Sequence, residues 1–245
     1  MTRTITFELC ADTLQACIAA GEGGADRIEL CSALSEDGLT PSHGLIRAAV
    51  ERSGLPVFVL LRPRAGNFFY SAEEFALMRD DLLHARFLGV SGFALGVLSA
   101  DATVDIERTR QLVDLAAPLE VTFHRAFDQV PSLDEALSDV IATGCRRILT
   151  SGGERDVVLG AANLARLVDR AMDRIAITVG GGLRIGNAAL VSHSTRAKHF
   201  HGSVRRFVDS TLMQERSGVP PACTQGQFIV DPAEVRAMIC ELRTT

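Results

Sequence analysis

The chain has 245 residues, 47% hydrophobic and 22% charged, enough to bury one large core in a single domain spanning residues 1–245. A formal net charge of −5 argues against nucleic acid as the main partner, because a phosphate backbone calls for a concentrated basic face. No apolar run reaches the roughly 18 residues that cross a bilayer, and the first residues lack the apolar stretch of a signal peptide, so no membrane partner and a cytoplasmic location are expected.

Short apolar runs alternate with amphipathic, Ala/Leu-rich segments, the pattern of parallel strands joined by helical crossovers. In chain order, a strand is expected over 5–10, followed by a helix over 13–20 that Asp12 would cap. Strands follow at 27–31 and 57–62. Ser71, with Glu74 three residues on, caps a helix over 72–87 that Gly89 stops. Strands at 92–97 and 119–124 precede a helix over 133–143, capped by Ser132 with Glu135 behind it and ended by Gly144. Strands at 146–150, 175–179 and 198–201 complete the set. A polar stretch through Ser-Gly-Val-Pro-Pro at 217–221 then leads to a last helix over 232–242.

Eight strands favour closure into a single eight-stranded parallel (β/α) TIM-type barrel, class α/β, with a long loop and a helix at the C-terminus. The rival is an open doubly wound sheet, which should carry GxGxxG after its first strand. This chain has Glu8-Leu-Cys-Ala-Asp there.

Side chains alternate along a strand, one set meeting the helices and the other the barrel interior. Ile5, Phe7 and Leu9 form the helix-facing set of the first strand, which turns Thr6, Glu8 and Cys10 inward. The same rule turns in Glu29 and Cys31, Arg62, Thr122 and His124, Thr178 and His201, and, lower down, His199, which reads as a satisfied core histidine. Most of these groups sit at strand C-termini, where barrel active sites lie. Glu8, Glu29 and His124 are therefore candidate acid/base groups. The carboxylates also fit a structural role as buried counter-charges for Arg62 and Arg64.

Glycines follow the late strands at Thr150-Ser-Gly-Gly, Val179-Gly-Gly-Gly-Leu and His201-Gly-Ser-Val-Arg. Gly181, Gly182, Gly202 and Ser203 can present backbone N–H groups to an anion, with Arg205 as a countercharge. The loop Leu61-Arg-Pro-Arg-Ala-Gly-Asn-Phe-Phe-Tyr-Ser puts Arg62 and Arg64 in reach of a carboxylate or phosphate, with Phe68, Phe69 and Tyr70 as cover or as a subunit contact. Lys198 is the only lysine, so Schiff-base chemistry would have to use it.

Cysteines stand at 10, 17, 31, 145, 223 and 240, without a CxxC pair or zinc-finger spacing, and are expected as free thiols. Cys17, Cys145 and Cys240 read as structural. Cys10 and Cys31 fall on adjacent strands at matching heights, either as small buried hydrophobes or as ligands for one soft ion such as Cu(I); Zn would want more, such as His201.

The segments Phe7-Glu-Leu-Cys, Gly24-Ala-Asp-Arg-Ile-Glu-Leu-Cys, Gly38-Leu-Thr-Pro-Ser, Arg62-Pro-Arg, Val121-Thr-Phe-His-Arg-Ala-Phe-Asp and Leu149-Thr-Ser-Gly together resemble the CutC family, and the similarity extends to Ile229-Val-Asp. The resemblance implies a cytoplasmic β/α barrel, a homo-oligomer with a role in copper homeostasis, whose proposed copper thiols correspond to Cys10 and Cys31. Where the family usually reads Arg-Pro-Arg-Gly-Gly-Asp-Phe, this chain has Ala65 and Asn67, so a role that needs an acid at 67 is in doubt.

Two functions therefore stand. One is a copper-homeostasis protein binding Cu(I) through thiols at the C-terminal rim. The other is a barrel enzyme acting on a small anionic metabolite, phosphorylated or carboxylated, by acid/base chemistry.

Overall fold

A computed structural model describes residues 4–209 and 226–244. Eight parallel strands close a barrel in sequential order: β1 (Thr6–Ala11), β2 (Arg27–Leu30), β3 (Val57–Leu60), β4 (Gly92–Leu95), β5 (Glu120–Phe123), β6 (Arg147–Thr150), β7 (Ala176–Gly180) and β8 (His199–Gly202). The seam is the β1–β8 ladder, which sets Thr6 against His199 and Glu8 against His201. All eight expected strands are present.

The surrounding helices are α1 (Leu14–Gly23), α2 (His43–Arg52), α3 (Ala72–Phe87), α4 (Ile106–Ala116), α5 (Leu133–Thr143), α6 (Ala161–Ala171), α7 (Ile185–Thr195) and α8 (Pro232–Arg243). Ser71 and Glu74 form the expected reciprocal cap of α3, and Ser132 accepts from the Glu135 N–H at the start of α5. Gly144 ends α5 with φ of 87°, a left-handed turn that costs glycine no Cβ clash. One expected cap moves: Thr13, not Asp12, accepts from the Ala16 N–H at α1.

The helix-facing strand residues make the core. Phe7, Leu9, Ile28, Leu30, Phe93, Leu95, Phe123 and Phe200 are buried against the helix ring, each stabilising the fold by about 1.5–3 kcal/mol relative to exposure. No helix among the described residues is long and apolar enough to cross a membrane.

The polar stretch after β8 is not wholly a loop. Arg205–Asp209 and Gly226–Val230 pair antiparallel as β9 and β10, with Phe207 opposite Phe228 and their rings 5.4 Å apart. The two halves are separated in the chain, so only a long-range pairing makes them strands. The 217–221 segment and Cys223 lie outside the described residues.

Candidate functional site

The ladder sorts the polar interior into layers. Glu8 on β1 is level with Arg27 on β2 and with His201 on β8, and it bonds to both: Arg27 Nε donates to its Oε2 at 2.6 Å, and His201 Nδ1 lies 2.8 Å from its Oε1. All three side chains are buried. Burial alone would raise the Glu8 carboxyl, but Arg27 and His201 together outweigh it and hold it down at about 2. Glu8 is therefore a fixed carboxylate. Its bond to Nδ1 leaves His201 Nε2 facing upward toward Glu29, 3.9 Å from Oε1.

One layer up, Cys10 is level with Glu29, not with Cys31 as expected: Cys31 lies just beyond the end of β2, where its N–H bonds to the Ala11 carbonyl. The thiols still meet, because both side chains turn inward and lean together. Cys10 Sγ lies 3.9 Å from Cys31 Sγ and 3.9 Å from Glu29 Oε1. One ligand atom each from Cys10, Glu29 and His201 falls within a 4.8 Å cluster, all three residues buried. Glu29 Oε2 is buried with no hydrogen-bond partner among the described residues, a lone pair set that a cation would satisfy.

These groups perturb one another. Burial pushes the Glu29 carboxyl up to about 7, against the pull of His201 and with the Glu8 charge adding to the rise. The Cys10 thiol is raised well above its ordinary range by its contact with Cys31 and by burial. His201 loses basicity to burial, but Glu29, Cys10 and Glu8 reverse this and raise it well above the usual imidazole value.

The arginines expected to neutralise the carboxylates do not. Arg62 is buried, and its Nη1 donates to the Glu36 and Gly38 carbonyls at 2.6 and 2.9 Å while Nη2 donates to the Gly66 carbonyl at 2.9 Å. It stitches the loops after β2 and β3 together, with Phe68 under its guanidinium. Arg64 is bound to Glu74, to loop carbonyls and to Asn67 Oδ1, the amide standing where the family's acid would be. Arg27 is the real counter-charge. Its position two residues before Glu29 gave it the same inward parity, the one signal that could have found it.

His124 is buried in the wall, and its Nδ1 accepts from the Ala126 N–H at 3.1 Å rather than meeting either carboxylate. Burial first, then the Arg62 charge, depress it to about 3, so the ring is neutral with its proton on Nε2. His199 is not the satisfied histidine expected: its Nδ1 is buried without a partner among the described residues, and burial with Arg27 and Arg147 lowers it to about 4.

Above these layers opens a cavity of about 1010 Å³. Cys10, Glu29, Arg62, His124 and His201 line its lower part, and Gly181, Gly182, Gly202 and Ser203 its far wall; Glu8, Cys31 and Arg64 are outside its lining. Gly181 and Gly182 have φ of 104° and 77°, and a Cβ on Gly181 would lie 2.9 Å from Arg125 Cζ. Arg125, unmarked by the sequence reading, is anchored by Asp128 at 2.8 Å and Ser151 at 3.1 Å. Asp128 also accepts from the N–H groups of Ser151 and Gly153, tying the loop after β6 to the cationic wall.

A model of the CutC family matches residues 5–206. A protein of Chromobacterium violaceum described as "family protein CutC" is 47% identical, over 87% of this chain and 86% of its own length. A human protein described as a copper homeostasis protein cutC homolog is 39% identical, over 95% of this chain and 87% of its own. The crystal structure of a CutC protein from Streptococcus agalactiae superposes with a TM-score of 0.77 at 33% identity, covering 82% of this chain and 99% of that one. A phosphoribosylanthranilate isomerase from Pyrococcus furiosus, at 14% identity and a TM-score of 0.58 over 98% of this chain and all of its own, shares the fold alone.

Proposed function

The chain belongs to the CutC family, and on that premise we propose that it serves copper homeostasis in the cytoplasm by holding Cu(I), as cargo, at Cys10 and Cys31, with His201 Nε2 completing the donor set. The observation that carries this reading is the 3.9 Å approach of two buried thiols beside an imidazole nitrogen. Thiolate and imidazole donors suit Cu(I), which accepts few ligands. Glu8 supplies the outer support: by binding Nδ1 it fixes the ring and keeps Nε2 turned toward Cys10 and Glu29. Binding must displace the thiol protons and the Nε2 proton, so affinity rises with pH.

Anaerobic Cu(I) titration against a competing chelator tests it. One equivalent should bind, and Cys10→Ser/Cys31→Ser should weaken binding by at least about 100-fold; affinity unchanged in that double variant sinks the site. His201→Ala should weaken it less than the double variant does.

A second reading, a barrel enzyme on a small anionic metabolite, is favoured by the size of the cavity and by Arg125 lying over Gly181. An ion needs a fraction of 1010 Å³. Under this reading Gly181, Gly182, Gly202 and Ser203 hold the anion with Arg125, and Glu29, near neutrality and with a free oxygen, moves the proton. Thermal shift with a panel of phosphorylated and carboxylated metabolites tests it, since a binder raises stability by mass action; a panel without a single shift counts against it.

A further inference from the structure

The barrel interior below Glu8 holds a second polar cluster that the mouth does not use. Measured along the barrel axis rather than along the tilted ladder, an eight-stranded barrel stacks its inward side chains in layers of four from alternate strands. The register makes one layer of Arg27, Gly92, Arg147 and His199, and the layer above it of Glu8, Phe58, Thr122 and Thr178. Phe58 takes the space that Gly92 leaves: a Cβ on Gly92 would lie 2.4 Å from Phe58 Cε1. Both guanidiniums lie against that one ring, Arg27 Cζ 4.9 Å and Arg147 Cζ 5.5 Å from its centroid. The β5–β8 side of the two layers is left to polar groups.

Those groups are short of partners. Arg27 Nη2, Arg147 Nε, Thr122 Oγ1, Thr178 Oγ1 and His199 Nδ1 are buried with no hydrogen bond among the described residues, and all five belong to these two adjacent layers. The carboxylates within reach are already committed. Glu8 takes Arg27 Nε on one oxygen and His201 Nδ1 on the other, and Glu120 pairs with Arg147 Nη1 from a partly exposed position. The two cations also feel each other: burial first, then the Arg27 charge, lower Arg147 below its ordinary value. Guanidiniums and hydroxyls all donate, and His199 Nδ1 donates in one tautomer. An anion meets every one of them as an acceptor, whereas a water would have to turn two protons of its own toward a wall holding two guanidiniums. Arg147 and His199 are only half-buried, so the cluster is reached from the N-terminal end of the barrel.

We propose that the barrel floor binds one small monovalent anion, a halide such as chloride, between Arg27 Nη2 and Arg147 Nε, with the Thr122 and Thr178 hydroxyls donating to it from β5 and β7. Phosphate and other bulky anions do not suit an interior packed in layers of four side chains, and the site is separate from the anion position at the mouth. Thermal melting in sodium gluconate and in sodium chloride of equal ionic strength tests it, together with anomalous diffraction from crystals grown in bromide. Chloride should raise the melting temperature by about 2–4 °C over gluconate, because a ligand of the folded state stabilises by mass action, and a bromide peak should lie between the two guanidiniums. Thr122→Val/Thr178→Val keeps the side-chain shape and removes both hydroxyls, so it should lose at least half of the rise. Arg125→Ala, at the mouth, should keep all of it. The bromide position is read in the parent chain and so does not depend on how well the double variant folds. A full rise in Thr122→Val/Thr178→Val, a rise lost in Arg125→Ala, or crystals without an anomalous peak between Arg27 and Arg147 overturns the proposal.

Discussion

Glu8 and His201 meet at 2.8 Å across the seam where the last barrel strand closes on the first. Residues separated by 193 positions in sequence are joined by a buried charge-assisted hydrogen bond, and Arg27 completes the set from the neighbouring strand. The Glu8–His201 half of the polar floor therefore exists only when the barrel is closed.

Removing Glu8 should be severe. Glu8→Ala would leave the Arg27 guanidinium buried and unpaired and His201 without its orienting partner, a class of change that costs about 3–5 kcal/mol. Urea denaturation should show the midpoint falling with little change in slope. Because the Glu8 carboxyl is depressed in the folded chain, its stabilisation is present above the unfolded value and is lost as pH falls toward about 2. The variant should accordingly lack part of the acid-induced loss seen in the parent.

Glu29 has the opposite sign. Its carboxyl is raised to about 7 by burial, so the folded chain binds the extra proton and stability falls as pH rises from about 4.5 to about 7. Glu29→Gln, which mimics the protonated form, should flatten that segment of the profile and exceed the parent in stability at pH 8 by on the order of 1–3 kcal/mol. A parent profile flat between those pH values would contradict this.

Arg62 should behave as a structural clamp. Arg62→Lys cannot reproduce a fork that serves the Glu36, Gly38 and Gly66 carbonyls at once. Losing this fork, of which only the Gly38 contact is fully buried, should cost roughly 1–3 kcal/mol, read as a fall of several degrees in melting temperature. The same variant should change the affinity of a cavity ligand far less than Arg125→Ala does.

Gly181 should tolerate no side chain. At φ of 104°, with Arg125 Cζ 2.9 Å from where a Cβ would stand, Gly181→Ala must strain the backbone and displace the guanidinium, at about 1–3 kcal/mol. Any anion-induced thermal shift should shrink in Gly181→Ala and in Arg125→Ala alike. A full shift in both would place the anion elsewhere.

The alternation of side chains along each strand is readable from the residues alone, and it turns Glu8, Cys10, Glu29, Cys31, His124 and His201 to the inner face. That period is local, set by the pleat of a single strand. The choice of partners is not local. Parity marks Arg27 as inward, but only the stagger between β1 and β2 sets it against Glu8. The same stagger puts Cys10 beside Glu29 rather than level with Cys31. Arg62 carries the charge a carboxylate would want, yet three loop carbonyls capture it. The β9–β10 pairing likewise joins segments far apart in the chain, which no local pattern records. The sequence by itself determined which side chains face inward, because direction follows from backbone geometry at each residue; the tertiary structure decided which of them touch, because register and closure depend on all eight strands at once.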